Sequence, residues 1–270
     1  MRVRQTPDRG KELRELHREV QEAVRRAGEI VRRHWDQPRN VRHKGRIDLV
    51  TETDLAVEQA LKESLRALLP EATVLAEETA GEEPLGDATW VVDPVDGTTN
   101  FAHGLPFVAV SVGLWLEDSV DLGVVYNPVL DQMFAALRGG GATMNGEPMR
   151  VSGAETLEQS LVATGFPYAI KDHLDEVVEV LRRVLEQCQG VRRYGAAALD
   201  LAHVAWGRLD GFFEATLKPW DTAAGWLLVE EAGGAVTAYD AGEPFGLYSP
   251  TVLASNGLVH RELSDILLKR

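Results

Sequence analysis

Asp93 and Asp96 stand three residues apart across a proline, in the run Asp93-Pro94-Val95-Asp96-Gly97-Thr98-Thr99-Asn100. The apolar stretch TWVVD at 89–93 leads into it, so the carboxylates arrive where a strand gives way to a loop. Pro94 stiffens the backbone, and Gly97 lets it turn close past a ligand. Such a loop can aim two carboxylates and a carbonyl at one point, the all-oxygen donor set that a hard cation such as Mg²⁺ takes. Gly97, Thr98 and Thr99 can also open a short helix whose N–H groups would receive a phosphate. A capped surface turn fits the same residues, and spacing alone leaves both readings open.

Other acids lie at comparable places. Glu77 and Glu78 close the strand-like run TVLAEE at 73–78. Adjacent acids suit a solvated strand end, but the short connection to Asp93 makes neighbouring strand ends an alternative, with one glutamate sharing a cation with Asp93. Thr53 or Asp54 can cap a helix whose apolar face is Val57, Leu61, Leu65 and Leu68. Asp221, in Pro219-Trp220-Asp221, can cap another bearing Ala224, Leu227 and Leu228. A cap whose oxygens face a shared crevice can equally bind a cation, and the sequence does not decide between the two. Two cations would let a chain of formal charge −14 accept a phosphoryl group and would support in-line displacement by water. No Gly-x-x-x-x-Gly-Lys loop, His-Glu-x-x-His or Cys-x-x-Cys occurs, and Ser111 and Ser249 lack a Gly-x-Ser-x-Gly setting.

The elements that must position these groups form a mixed α/β chain. Apolar positions 13, 16, 20, 24, 27, 30 and 31 predict a helix ending near Trp35, before Pro38. Residues 47–51 read as extended. Strands are predicted over 107–116, 119–128 and 129–137 as a meander, then a turn at Gly139–Gly141 and an Asn145-Gly146 turn. The second part reads as a strand at 160–164, helices at 172–188 and 196–206, and a strand at 209–215. The Asp221 helix, two late strands and a short helix at 260–268 complete it. Cys188 follows the apolar positions Val177, Leu181, Val184 and Leu185 and reads as core-facing; one cysteine allows no intrachain disulfide. Residues 1–270 read as a single catalytic unit, with a weakly marked division into 1–150 and 151–270. The acidic balance argues against direct nucleic-acid binding and against an anionic membrane surface. With no secretory signal and no run of 18 apolar residues, a cytoplasmic protein is expected.

Taken in order, several pieces resemble the inositol monophosphatase family, magnesium-dependent and lithium-sensitive phosphatases, and most of all its bacterial members. They are Asp48-Leu49-Val50-Thr51-Glu52-Thr53-Asp54, Ala76-Glu77-Glu78-Thr79, the run from Trp90 to Phe101, Arg208 to Glu214, and Trp220-Asp221-Thr222-Ala223-Ala224-Gly225. The resemblance spans Lys44 to Asn256. It implies a layered α-β-α-β-α sandwich of the inositol monophosphatase / fructose-1,6-bisphosphatase type, usually a homodimer, with two or three Mg²⁺ per site. By resemblance, Glu77, Asp93 and the Val95 carbonyl hold the first ion, Asp93, Asp96 and Asp221 the second, and Glu77 with waters a third. Asp54 and Thr98 activate the attacking water, with Glu77 also in the catalytic set. The N–H groups of Gly97 and Thr98 contact phosphate. Glu214, Ala197 and Lys44 lie on the substrate side. The implied substrate is inositol 1-phosphate or a related polyol monophosphate. Fructose 1,6-bisphosphate, histidinol phosphate and 3′-phosphonucleotides are enzyme alternatives, and a regulatory partner of the transcription machinery is a further one. Gly195-Ala196-Ala197-Ala198 departs from the Gly-Ser-Ala-Ala frequent in bacterial members.

Overall fold

The computed structural model describes residues 9–37, 41–43, 49–79, 85–167 and 170–269. Five layers alternate helix and sheet. The first is a helix pair, α1 (Arg9–His34) and α2 (Glu52–Leu68), preceded on the α2 side by a small hairpin of β1 (Val41–His43) and β2 (Leu49–Thr51). Val20, Val24, Ala27 and Val31 of α1 and Val57, Leu61 and Leu65 of α2 are buried at helical spacing, which aims both apolar stripes at one sheet face. At roughly 25 cal/mol per Å² of apolar surface, each such side chain contributes about 1.5–3 kcal/mol.

That sheet has seven strands in near-sequential order. They are β3 (Thr73–Ala76), β4 (Ala88–Asp96), β5 (Ala109–Leu116), β6 (Ser119–Asn127), β7 (Gln132–Leu137), β8 (Gly141–Met144) and β9 (Glu147–Pro148). The first pair is parallel and the rest is an antiparallel meander. β4, β5 and β6 are buried along nearly their whole length because helices cover both faces, which explains their unbroken apolar sequence. Positive φ at both Asn145 (51°) and Gly146 (85°) closes the last hairpin.

The short helix α3 (Thr98–His103) follows β4 directly, and its Phe101 is buried in the same cluster as α1 and α2. The second sheet orders β11 (Gly190–Arg192), β10 (Leu161–Thr164), β12 (Gly211–Ala215), β14 (Thr251–Ser255) and β13 (Ala235–Thr237). Sandwiched between the sheets are α5 (Ala197–Ala205) and α6 (Pro219–Glu231), buried in one cluster with side chains of both. The outer layer is α4 (Leu174–Leu185) with α7 (His260–Leu268), packed over Val162, Phe213 and Leu253. This is the α-β-α-β-α sandwich. No helix among the described residues is long and apolar enough to cross a membrane.

Several boundaries differ from the sequence reading. The strand expected at 129–137 starts at Gln132, because Asn127 Oδ1 accepts from the Val129 and Leu130 N–H groups and holds a turn there. The helix expected over 172–188 spans only 174–185, so Cys188 lies beyond it. Its half-buried side chain still packs against the apolar cluster under α4 and α7, and that burial raises its pKa. The Gly139–Gly141 turn is held by a carboxylate: Gly139 N and Gly141 N each donate to Glu231 at 2.8 Å.

Candidate active site

The site is built where β4 breaks its register. Asp93 pairs with Ser111 and Asp96 with Ala109, so one residue too many is inserted between them. Pro94 has no N–H to give the ladder, and a bulge is where a central strand tolerates it. Asp93 Oδ1 accepts from Val95 N at 3.0 Å, which fixes the bulge. Gly97 then turns the chain at φ +86°, and a Cβ there would meet the Phe107 carbonyl at 2.9 Å and Ala196 at 3.3 Å. Gly97 is thus required by the protein's own backbone as well as by its dihedral angle. It starts α3 with no side chain capping the first N–H groups.

Neighbouring elements bring in the other acids. β3 runs parallel to β4 with Ala76 opposite Val92, so Glu77, opening a short 3₁₀ turn at Glu77–Thr79, comes out beside Asp93. Glu58, 2% exposed on α2, anchors that turn by accepting from Glu78 N at 2.8 Å, Thr79 Oγ1 at 2.6 Å and Lys62 Nζ at 2.8 Å. Glu58 was not foreseen, since Glu58 and Lys62 at i,i+4 look like a solvated helix pair. Glu78 turns its N–H to Glu58, and Glu77, not Glu78, lines the cavity.

Neither cap lies where the sequence placed it. The N-cap of α2 is Thr51, and Asp54 is the third helical residue, closing a capping box through Thr51 N at 3.0 Å. The Thr51 hydroxyl also donates to that same Asp54 oxygen, Oδ2. Asp54 Oδ1 is left for Thr98 Oγ1, 3.0 Å away, which also stands 3.1 Å from the Val95 carbonyl. Asp221 is likewise third in α6, after Pro219 at the first position, and reaches back to Lys218 N at 2.7 Å. Both aspartates therefore complete helix starts while facing the cavity side. Asp96 Oδ2 accepts from Ala198 N at 2.7 Å, so a carboxylate from the first sheet satisfies the start of α5, whose N-cap Ala196 has no side chain able to do so. Asn100 ties the same regions, donating to the Phe107 and Tyr194 carbonyls at 2.8 Å each.

Glu77, Asp93, Val95, Asp96, Gly97, Thr98, Ala197, Glu214 and Asp221 line one cavity of about 570 Å³. Asp54 stands behind Thr98. Lys44 lies outside the described residues. Lys218, Arg193, Phe166 and Trp220 also line the cavity; Trp220 stands in the Asp221 motif at the start of α6, whereas Arg193 and Phe166 come from loops with no motif.

Electrostatically the cavity is a concentration of like charge. Burial holds Asp93 well above the ordinary carboxylate range, and Glu77, Asp96, Asp221 and Asp54 add to it. Asp96 and Asp221 are pushed to about 7, first by burial. N–H groups at the start of α5 pull Asp96 back down, as the positive end of a helix should. Burial raises Asp54 too, against its hydrogen bonds from Thr51 and Thr98. Glu214 rises to about 8, from burial and then Asp221.

Among the described residues no three such side chains converge to enclose a cation as they stand. The donor set nonetheless suits one. Asp93, Asp96 and Asp221 each spend one oxygen on a backbone N–H and have a second left over, and buried crowded carboxylates are what a hard divalent cation relieves.

The sequence model described as "Inositol monophosphatase family" matches residues 12–269. The chain is 43% identical over 251 residues to "Inositol-1-monophosphatase" of Synechocystis, covering 91% of this chain and 86% of that protein. It is 39% identical to "Nus factor SuhB" of Escherichia coli K12, covering 90% and 92%. Among solved structures, inositol monophosphatase from Anabaena superposes with a TM-score of 0.86 at 38% identity, covering 95% of this chain and 96% of that one.

Proposed function

The chain belongs to the inositol monophosphatase family of phosphatases, and from that premise we propose that it hydrolyses inositol 1-phosphate and related polyol monophosphates in a Mg²⁺-dependent reaction. The observation carrying this reading is that Glu77, Asp93, Asp96 and Asp221 face one cavity together with Thr98, itself hydrogen-bonded to Asp54.

In this reading Glu77, Asp93, the Val95 carbonyl, Asp96 and Asp221 would hold two or three Mg²⁺ ions. When bound, the ions supply positive charge for the phosphoryl oxygens, the attacking water and the leaving oxygen. Thr98 Oγ1 orients the water and passes its proton toward Asp54 Oδ1. Burial raises the pKa of Asp54, which makes its carboxylate a better proton acceptor than an ordinary aspartate. The Gly97 and Thr98 N–H groups, at the uncapped start of α3, receive phosphate oxygens. Glu214 and Ala197 meet the polyol hydroxyls. Phosphate leaves directly, without a phosphoenzyme.

The test is phosphate release from inositol 1-phosphate, fructose 1,6-bisphosphate, histidinol phosphate and 3′-phosphoadenosine 5′-phosphate, each with Mg²⁺, with EDTA, and with Mg²⁺ plus Li⁺. Preference for inositol 1-phosphate, lost in EDTA and reduced by Li⁺, is expected. No release from any ester by folded, Mg²⁺-loaded protein overturns the reading. A second reading, a protein-binding regulatory role, draws on the similarity to proteins named Nus factor SuhB. It requires partner capture that survives Asp93→Asn.

A further inference from the structure

We propose that Gly165 is a positioning residue for Glu214: its missing side chain is the space in which the Glu214 carboxylate sits, and that placement sets how the site reads substrate hydroxyls. This rests on the role given to Glu214 above.

β10 and β12 are parallel, with Thr164 opposite Phe213, so Gly165, the first residue past β10, comes beside Glu214, which is still in β12 and paired with Val252 of β14. Thr164 Oγ1 donates to the Phe213 carbonyl at 2.9 Å and fixes that juncture. A Cβ built on Gly165 would fall on the carboxyl carbon and both oxygens of Glu214. Both residues line the cavity.

Two further observations make this a matter of placement rather than of folding. The φ of Gly165 lies outside the left-handed region, so its backbone would accept alanine, and the three atoms nearest to an added Cβ all belong to the Glu214 carboxylate. That carboxylate is the far end of a flexible side chain and can be turned aside while the strands stay in place. No hydrogen bond to it is made within the described residues, so its position depends on shape. An alanine at 165 would therefore redirect Glu214 without touching Glu77, Asp93, Asp96 or Asp221.

The experiment compares Gly165→Ala, Glu214→Ala and the double variant, with Gly153→Ala, which has open space around it, as control. A crystal structure of Gly165→Ala reads the carboxylate position. Kinetics with inositol 1-phosphate and with phenyl phosphate, which offers no hydroxyl, read the consequence. Gly165→Ala should raise KM for inositol 1-phosphate about tenfold, the scale of losing one hydrogen bond to a charged group, with kcat and the phenyl phosphate reaction unchanged. In the Glu214→Ala background it should add nothing. A carboxylate that stays in place in Gly165→Ala overturns the proposal whatever the substrate. So does a displaced carboxylate with unchanged KM when Glu214→Ala alone raises it. If Glu214→Ala itself leaves every ester unaffected, the role given to Glu214 fails first, and the specificity inference fails with it.

Discussion

At the scale of single residues, Asp54, Asp93, Asp96 and Asp221 each spend a carboxylate oxygen on the backbone and keep another for the site. Asp54 gives Oδ2 to the start of α2 and Oδ1 to Thr98. Thr98→Ala removes only the second link. It should leave stability and Mg²⁺ affinity nearly unchanged and lower kcat by about 10²-fold, the loss expected for a positioned proton-transfer group; an unchanged kcat removes Thr98 from the mechanism. Glu214 carries a pH signature. Its folded-state pKa, about 8 against an ordinary 4.5, means the folded protein keeps a proton that the unfolded chain has released between those values. Stability from this group is therefore lost as pH rises from about 4.5 through about 8. Glutamine cannot ionise, so Glu214→Gln in EDTA should match wild type in Tm near pH 4 and exceed it near pH 8.5. A constant difference across that range contradicts the raised pKa.

Elements show why some of this was legible in the sequence. Acids that close an apolar run announce themselves, and Glu77 and Asp93 stand out that way, although β4 continues past Asp93 through its bulge to Asp96. Helix starts were read one to three residues off. In Thr51-Glu52-Thr53-Asp54 it is Thr51 that caps, accepting from Thr53 N, while Asp54 reaches back to Thr51 N and closes the box. The order of strands within the second sheet was not legible, because β10, β12, β14 and β13 are brought together by long connections that leave no local signal. Nor was Glu58, because its partners besides Lys62, namely Glu78 and Thr79, lie 20 and 21 residues away. The Ala196 departure now has a physical meaning: it is the N-cap of α5, and Asp96 from another layer does what a serine hydroxyl would. Ala196→Ser should stabilise the protein by only about 0.5 kcal/mol, the low end of the N-cap range, because Ala198 N is already satisfied. Urea unfolding showing a gain near 2 kcal/mol would mean that Asp96 caps α5 poorly.

For the whole molecule, the carboxylates come from the first sheet and from α6 in the central layer, so a bound cation would join parts that are distant in sequence. Under the proposed reading Mg²⁺ would have to displace protons from Asp96 and Asp221, whose pKa burial pushes to about 7. The rise in Tm produced by Mg²⁺ should be small at pH 5.5 and grow through pH 7 to 8.5. An equal rise at every pH would place the ion elsewhere. Asp93→Asn should abolish most of that rise together with turnover, while leaving the metal-free protein folded and no less stable, since it removes one charge from a crowd. An undiminished response to Mg²⁺ in a titration would show that Asp93 is not a ligand.

The bond from Asp96 to the start of α5 crosses 102 residues. At roughly 5–20 residues per second of synthesis, about 5–20 s separate the emergence of the carboxylate from that of its helix. Asp221 follows later still. A growing chain thus carries its acidic strand ends for many seconds before the helix dipole that steadies them exists. Under the proposed reading, phosphatase activity begins only after Asp221 has left the ribosome, so a product interrupted before it carries the Asp93–Asp96 motif without the enzyme.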